Sequence, residues 1–110
     1  MGRFVKGDVV VVPFPFSDLT GHKRRPAFVI ASFPGDDLIV CQITSQHKSD
    51  YWALPLNNFD FVTGHLPVDS FIRPNKIFTA SQSLILYAAG HLSQTKIHEI
   101  TSAVIRIISL

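Results

Sequence analysis

The stretch GDVVVVPFPFSDLTGHKRRPAFVIAS, Gly7–Ser32, decides the fold. Its first half, Asp8–Phe14, is a β-branched run ending in proline, and its second apolar run, Ala27–Ala31, has the same character. Chains of that composition fit a pleated, buried surface, so both runs read as strands joined by the polar loop Ser17–Arg24. Four basic or potentially basic side chains, His22, Lys23, Arg24 and Arg25, stand directly ahead of Pro26. So much positive charge at the mouth of a buried strand asks for an anion.

Working outward, Pro34-Gly35-Asp36-Asp37 is a turn too short for a crossover, so Leu38–Thr44 is expected to pair antiparallel with the strand before it. Further short strands are expected at Trp52–Leu56, Ser70–Ile72, Lys76–Thr79 and Ala88–Leu92, with Pro55, Pro67 and Pro74 limiting them or placing them at edges. Ser93 reads as an N-cap, and Ile97, Ile100, Val104, Ile107 and Ile108 recur at helical spacing to the end. The expected fold class is mainly β with a C-terminal helix, the sheet curling into a small barrel within a single domain, residues 1–110.

Composition narrows the function. The 110 residues are 46% apolar and only 16% charged, below the roughly 25% usual for soluble chains, so part of the apolar surface is expected to be covered by self-association. A net charge of +2 is too small to coat nucleic acid broadly, but leaves room for one focused anion site. The single cysteine, Cys41, lies in LIVCQIT and reads as a small buried hydrophobe, with neither a disulfide nor a metal role. No run approaches the ~18 apolar residues of a membrane span and MGRFVKGDVVVVPFPF has no signal-like core, which together predict a cytoplasmic protein without membrane partners.

The run Gly7–Ser32 resembles the opening of the MazF/PemK toxins of bacterial toxin–antitoxin pairs. The resemblance continues through Ile43–Gln46, through SFIRPNKIFTAS at Ser70–Ser81 and into GHLS followed by a helix, in the family's order. It implies a small SH3-like barrel of the MazF/PemK/CcdB type, a homodimer, and a sequence-specific endoribonuclease that cuts single-stranded RNA with no metal or other cofactor. A cognate antitoxin protein is implied as partner.

The family's active pair, carried over position by position, falls on Arg25 and Thr44. The chemistry of those residue types agrees. RNA can be cut by its own 2′-OH attacking the neighbouring phosphorus, so a protein need only orient the attack and steady the developing charge. A guanidinium offers forked donors to phosphate oxygens, and a threonine hydroxyl can donate to the same group. Alternation puts Thr44 on the face of Val40 and Gln42, opposite Ile39, Cys41 and Ile43. Arginine holds its proton too tightly to be a simple base, so His22 and His47, each three residues from one member of the pair, are candidates for assisting proton transfer. Lys23, Arg24 and Lys48 are candidates for steering the RNA backbone, Phe16 and Tyr51 for stacking bases, and Ser17 and Gln46, with Asp18 and Thr20, for meeting base edges. Phe14 and Trp52 are better placed as packing residues. Each also has a plain reading, as a solvated loop residue or an arginine paired with a carboxylate. Two other functions fit the same barrel: a non-catalytic module binding a protein or nucleic-acid partner, and a toxin that poisons a topoisomerase.

Overall fold

The structure, a computed structural model, describes residues 3–13, 24–46 and 50–110. Among these, the chain runs β1 (Asp8–Pro13), β2 (Arg24–Ser32), β3 (Asp37–Thr44), β4 (Leu54–Leu56), β5 (Phe61–Gly64), β6 (Ser70–Ser81), β7 (Tyr87–Leu92) and α1 (Gln94–Ile108). The described strands form one antiparallel sheet in the order β4-β6-β3-β2-β1-β7-β5, curled into a half-barrel. The expected hairpin is β2–β3, with Phe28 opposite Cys41 and Val29 opposite Val40.

Alternation along the strands divides the apolar residues between two cores. Val9, Phe28, Cys41, Ile43, Ile72 and Leu92 pack on one face against Ile97, Ile100 and Val104 of the helix. On the other face Val10, Val12, Ala27, Val29, Leu38 and Val40 form a second cluster, closed by Ala80 and Ile85. The helix is fixed at its start by Ser93, whose Oγ accepts a hydrogen bond from Lys96 N at 3.2 Å. That meets one of the donors a helix N-terminus leaves unpaired. Ile108, expected on the buried stripe, is 70% exposed: the sheet has ended by that turn of the helix. Among the described residues no helix is long and apolar enough to cross a membrane.

Two strand expectations need correcting. Ser70–Ile72 and Lys76–Thr79 are parts of the single twelve-residue strand β6, and Pro74 does not end it. Gln42 faces Arg73, but the next residue on β3, Cys41, faces Ile77, so Pro74, Asn75 and Lys76 bulge out of the ladder. Proline has no N–H to give a neighbour, and a bulge is where that lack costs nothing. The strand β5, unpredicted from Phe-Val-Thr-Gly, pairs with β7 through Gly64 opposite Gly90. A Cβ at Gly64 would run into the carbonyl of Ala89, and one at Gly90 into that of Thr63, while Gly64 has φ of 73°. Only glycine lets these backbones close so tightly.

Candidate functional site

The site grows out of strand register. Strand β1 faces β2 with Val12 opposite Arg25 and Val10 opposite Ala27, and β2 faces β3 with Ala27 opposite Gln42. The β2–β3 pairing begins at that pair, and Arg25 and Thr44 lie two residues beyond it on the same face of adjacent strands. Strand β3 in turn faces β6 with Thr44 opposite Phe71 and Gln42 opposite Arg73. Residues directly opposite in antiparallel strands share a face, with Cβ atoms about 4.5–5.5 Å apart. One row, Val10, Ala27, Gln42 and Arg73, therefore crosses four strands on the face away from the helix, and the pairs Val12–Arg25 and Thr44–Phe71 follow it on the same face. Arg25 and Thr44, 19 positions apart in sequence, are thus brought to one face at the same end of the sheet.

Their local chemistry differs from that of ordinary strand ends. Arg25 Nε is buried and has no hydrogen-bond partner among the described residues. Buried donors are almost always paired, and leaving one unpaired costs about 1–3 kcal/mol, more when the group is charged. Thr44 is only 7% exposed, and its Oγ1 accepts from the Gln46 amide at 3.2 Å. A hydroxyl that accepts in this way keeps its own hydrogen to donate. The strand ends thus present two donors, from Arg25 and Thr44, with no described carboxylate paired to either.

Arg73, which the sequence reading did not single out, is tied instead. Its Nε donates to Asp50 Oδ2 at 2.7 Å, with side-chain exposures of 18% and 8%. Asp50 Oδ1 also accepts from the Trp52 amide at 3.0 Å. Burial pushes the Asp50 carboxyl up, but the hydrogen bonds from Arg73 and Trp52 and the charges of Arg73 and Lys76 outweigh it and hold it below the usual carboxylate range. The pair clamps the segment after β3 to β6. Beyond it Tyr51 is 86% exposed and meets the Trp52 ring edge-on at 5.2 Å, while the guanidinium of Arg106 lies over Trp52 at 5.6 Å. Trp52 thus packs between Tyr51 and Arg106, while the Tyr51 ring stays open to solvent. A signal for Arg73 was present in the quoted SFIRPNKIFTAS, but its place beside Gln42 depends on the bulge at Pro74.

The remaining candidates divide clearly. Gln46 is exposed and touches Thr44 through its backbone. Arg24 is exposed, and it and Arg25 both line a cavity of about 280 Å³ at the ends of β1, β2 and β3. Asn75 and Lys76 are exposed in the bulge. Phe16, Ser17, His22, Lys23, His47 and Lys48 lie outside the described residues, as do Phe14, Asp18 and Thr20. Cys41 is fully buried, and burial pushes its thiol up to about 12, far from nucleophilic use.

A family model described as the PemK-like, MazF-like toxin of type II toxin–antitoxin systems matches residues 5–108. The chain belongs to that family. Solved structures agree on the fold. An endoribonuclease in complex with its cognate antitoxin, from a mycobacterial species, superposes with a TM-score of 0.76 over 98% of this chain and 97% of its own, at 14% identity. The Mycobacterium tuberculosis toxin MazF-mt6 gives 0.73 over 94% and 97%, at 13% identity. MazE–MazF from Deinococcus radiodurans gives 0.71 over 100% and 99%, at 16% identity. No curated protein sequence matches the chain with comparable significance. At such low identities the superpositions speak for the half-barrel and helix, and the side chains of this toxin-family member must make their own case.

Proposed function

We propose that the chain is a sequence-specific endoribonuclease toxin that cuts single-stranded RNA, with Arg25 and Thr44 at the scissile phosphate. The observation that supports this is an arginine whose buried Nε has no described partner, on the same face and at the same end of the sheet as the buried Thr44. In the reaction the ribose 2′-oxygen bonds to phosphorus as the P–O5′ bond breaks. The 2′ proton leaves to a base and the 5′ oxygen gains one, giving a 2′,3′-cyclic phosphate and a 5′-OH. No external nucleophile enters. The forked donors of Arg25 and the hydroxyl of Thr44 steady the charge that grows on the phosphoryl oxygens, where donors held ready are worth most. His22 and His47 are the candidates for moving the two protons.

Family membership supports a toxin held in check by an antitoxin, and two neighbours in fold were solved with theirs. The reading extends to a cytoplasmic homodimer whose RNA groove is bordered by Phe16, Ser17, Lys23, Arg24, Gln46, Lys48 and Tyr51. An acidic, extended antitoxin segment would pair with the basic cluster and occlude that groove. The test is incubation of the purified protein with a long RNA in EDTA, followed by mapping of product ends. Cuts at a repeated short sequence, leaving 2′,3′-cyclic phosphate and 5′-OH ends, are expected. Intact RNA at high protein concentration would return the fold to a non-catalytic binding module.

A further inference from the structure

The ion pair of Arg73 with Asp50 lies beside Thr44. In the sheet β6 separates β3 from β4, so the chain leaving β3 at Thr44 has to pass β6 before Leu54 can pair with Ile72. Strand β4 is only three residues long and offers few ladder bonds to hold the far side of that crossover. Side chains tie the near side instead. Phe71 stands opposite Thr44 and Arg73 opposite Gln42, so the Arg73 side chain rises from β6 on the same face as Thr44, one cross-strand pair away. There its Nε meets Asp50 Oδ2 at 2.7 Å, while Asp50 Oδ1 accepts from the Trp52 amide at 3.0 Å and Asp50 O from the Ala53 amide at 3.2 Å. At the start of the crossover, Thr44 Oγ1 accepts from the Gln46 amide at 3.2 Å. The hydroxyl is thus oriented by the crossover, and the crossover is pinned by Arg73.

We propose that Arg73 and Asp50 are positioning residues for cleavage: the pair fixes the path of the crossover, and the crossover fixes where Thr44 aims its hydrogen. The inference rests on the RNA-cutting reading above and adds how one of its two donors is aimed. Asp50 occupies the Nε of Arg73, which sets its role apart from that of Arg25, whose Nε has no described partner. Both charges of the pair are largely out of water, with side chains 18% and 8% exposed, and removing either partner leaves the other uncompensated. Each single loss is therefore expected to displace the crossover, and with it the Gln46 amide and the Thr44 hydroxyl. A direct electrostatic effect on RNA would behave differently, since losing Arg73 lowers the local positive charge and losing Asp50 raises it.

Arg73→Met, Asp50→Asn and the double variant test this, with Ser93→Ala as a control that loses stability on the helix side of the sheet. Without RNA, the Gln46 amide and Thr44 methyl resonances are expected to move in both single variants and to stay in place in Ser93→Ala. With RNA, each single variant is expected to lower kcat about tenfold per folded molecule, with KM changed by about twofold or less. The double variant should lose about tenfold and not a hundredfold, because the two residues act as one unit. Should Arg73→Met fail to fold, Arg73→Lys keeps the charge without the fork, and is expected to move the same resonances and lower kcat by a smaller factor. Unmoved Gln46 and Thr44 resonances in the folded variants, Arg73→Lys included, overturn the inference whatever the parent does to RNA. So do opposite effects of the two single variants on KM at the parent kcat, which would assign the pair to the electrostatic field, and losses in kcat that multiply in the double variant. Intact RNA with the parent protein, alongside displaced Gln46 and Thr44 resonances in the variants, would overturn the nuclease reading while leaving the pair as what positions the end of β3.

Discussion

Arg25 concentrates the catalytic proposal in one side chain. A buried guanidinium nitrogen without a described partner holds little of the fold together, so Arg25→Ala should leave the protein folded while removing about 2.7–4 kcal/mol of transition-state stabilisation, read as a 10²–10³-fold loss in kcat. Thr44→Ala should lose less, since a neutral donor steadies less charge than a cationic one. Folded variants cleaving at the parent rate would remove both residues from the site. Asp50 gives a prediction of the opposite kind, on stability. Its carboxyl is depressed in the folded protein, so its contribution is complete above the unfolded carboxylate value of about 3.9 and fades as pH falls through the folded value. Asp50→Asn should therefore cost roughly 1–3 kcal/mol at pH 7, and parent and variant should converge in denaturant titrations below about pH 4. A gap independent of pH would mean that the pair with Arg73 contributes shape and not charge. Should His22 or His47 move protons, the cleavage rate will titrate near pH 6.5, and replacing that histidine with Gln will flatten the limb.

Among the elements, β6 and α1 show how local signals combine. Pro74 reads as a strand breaker, yet its effect is a three-residue bulge in a strand that resumes its pairing with β3. The bulge sets the register that puts Arg73 beside Gln42, so the proline that hid the strand from the sequence also places the ion pair. Strand β5 was hidden for a related reason, because Gly64 weakens any propensity signal while the facing Gly90 makes the close pairing feasible. The helix is the reverse case, legible from its cap and its apolar period alone. Ser93→Ala should cost about 1 kcal/mol and lower the melting temperature by about 4 °C without altering cleavage, since the cap lies on the helix side of the sheet. A change in rate at unchanged stability would tie the helix to the site.

For the whole molecule the question is what covers its outer apolar surface. Ile105, Ile108 and Leu110 at the end of the chain stand exposed, as do Leu84, Leu86 and Tyr87. A two-fold copy is the expected cover, and sedimentation at micromolar concentration should show about twice the 12.2 kDa of the chain. A 12.2 kDa species would require the RNA groove to be built within one subunit. For the antitoxin, charge reversal at Lys23 and Arg24 should weaken the complex, and added salt should do the same to the parent complex. Affinity indifferent to both would place the inhibitor away from the basic cluster.

The sequence by itself determined the class of the fold, the hairpin, the capped helix and the burial of Cys41. These depend on short-range physics, namely the periodicity of apolar residues, turn chemistry and residue types held in one order along the chain. Only the tertiary structure decided which residues stand together. The row through Gln42, the clamp of Arg73 on Asp50 and the cavity lined by Arg24 and Arg25 all depend on register between strands distant in sequence. Register shifts by single residues at bulges, and one such shift turns a side chain to the other face of the sheet. The cavity at the strand ends shows the consequence, since Arg24 and Arg25 of β2 line it together with residues 66–68 and Tyr87 from far along the chain.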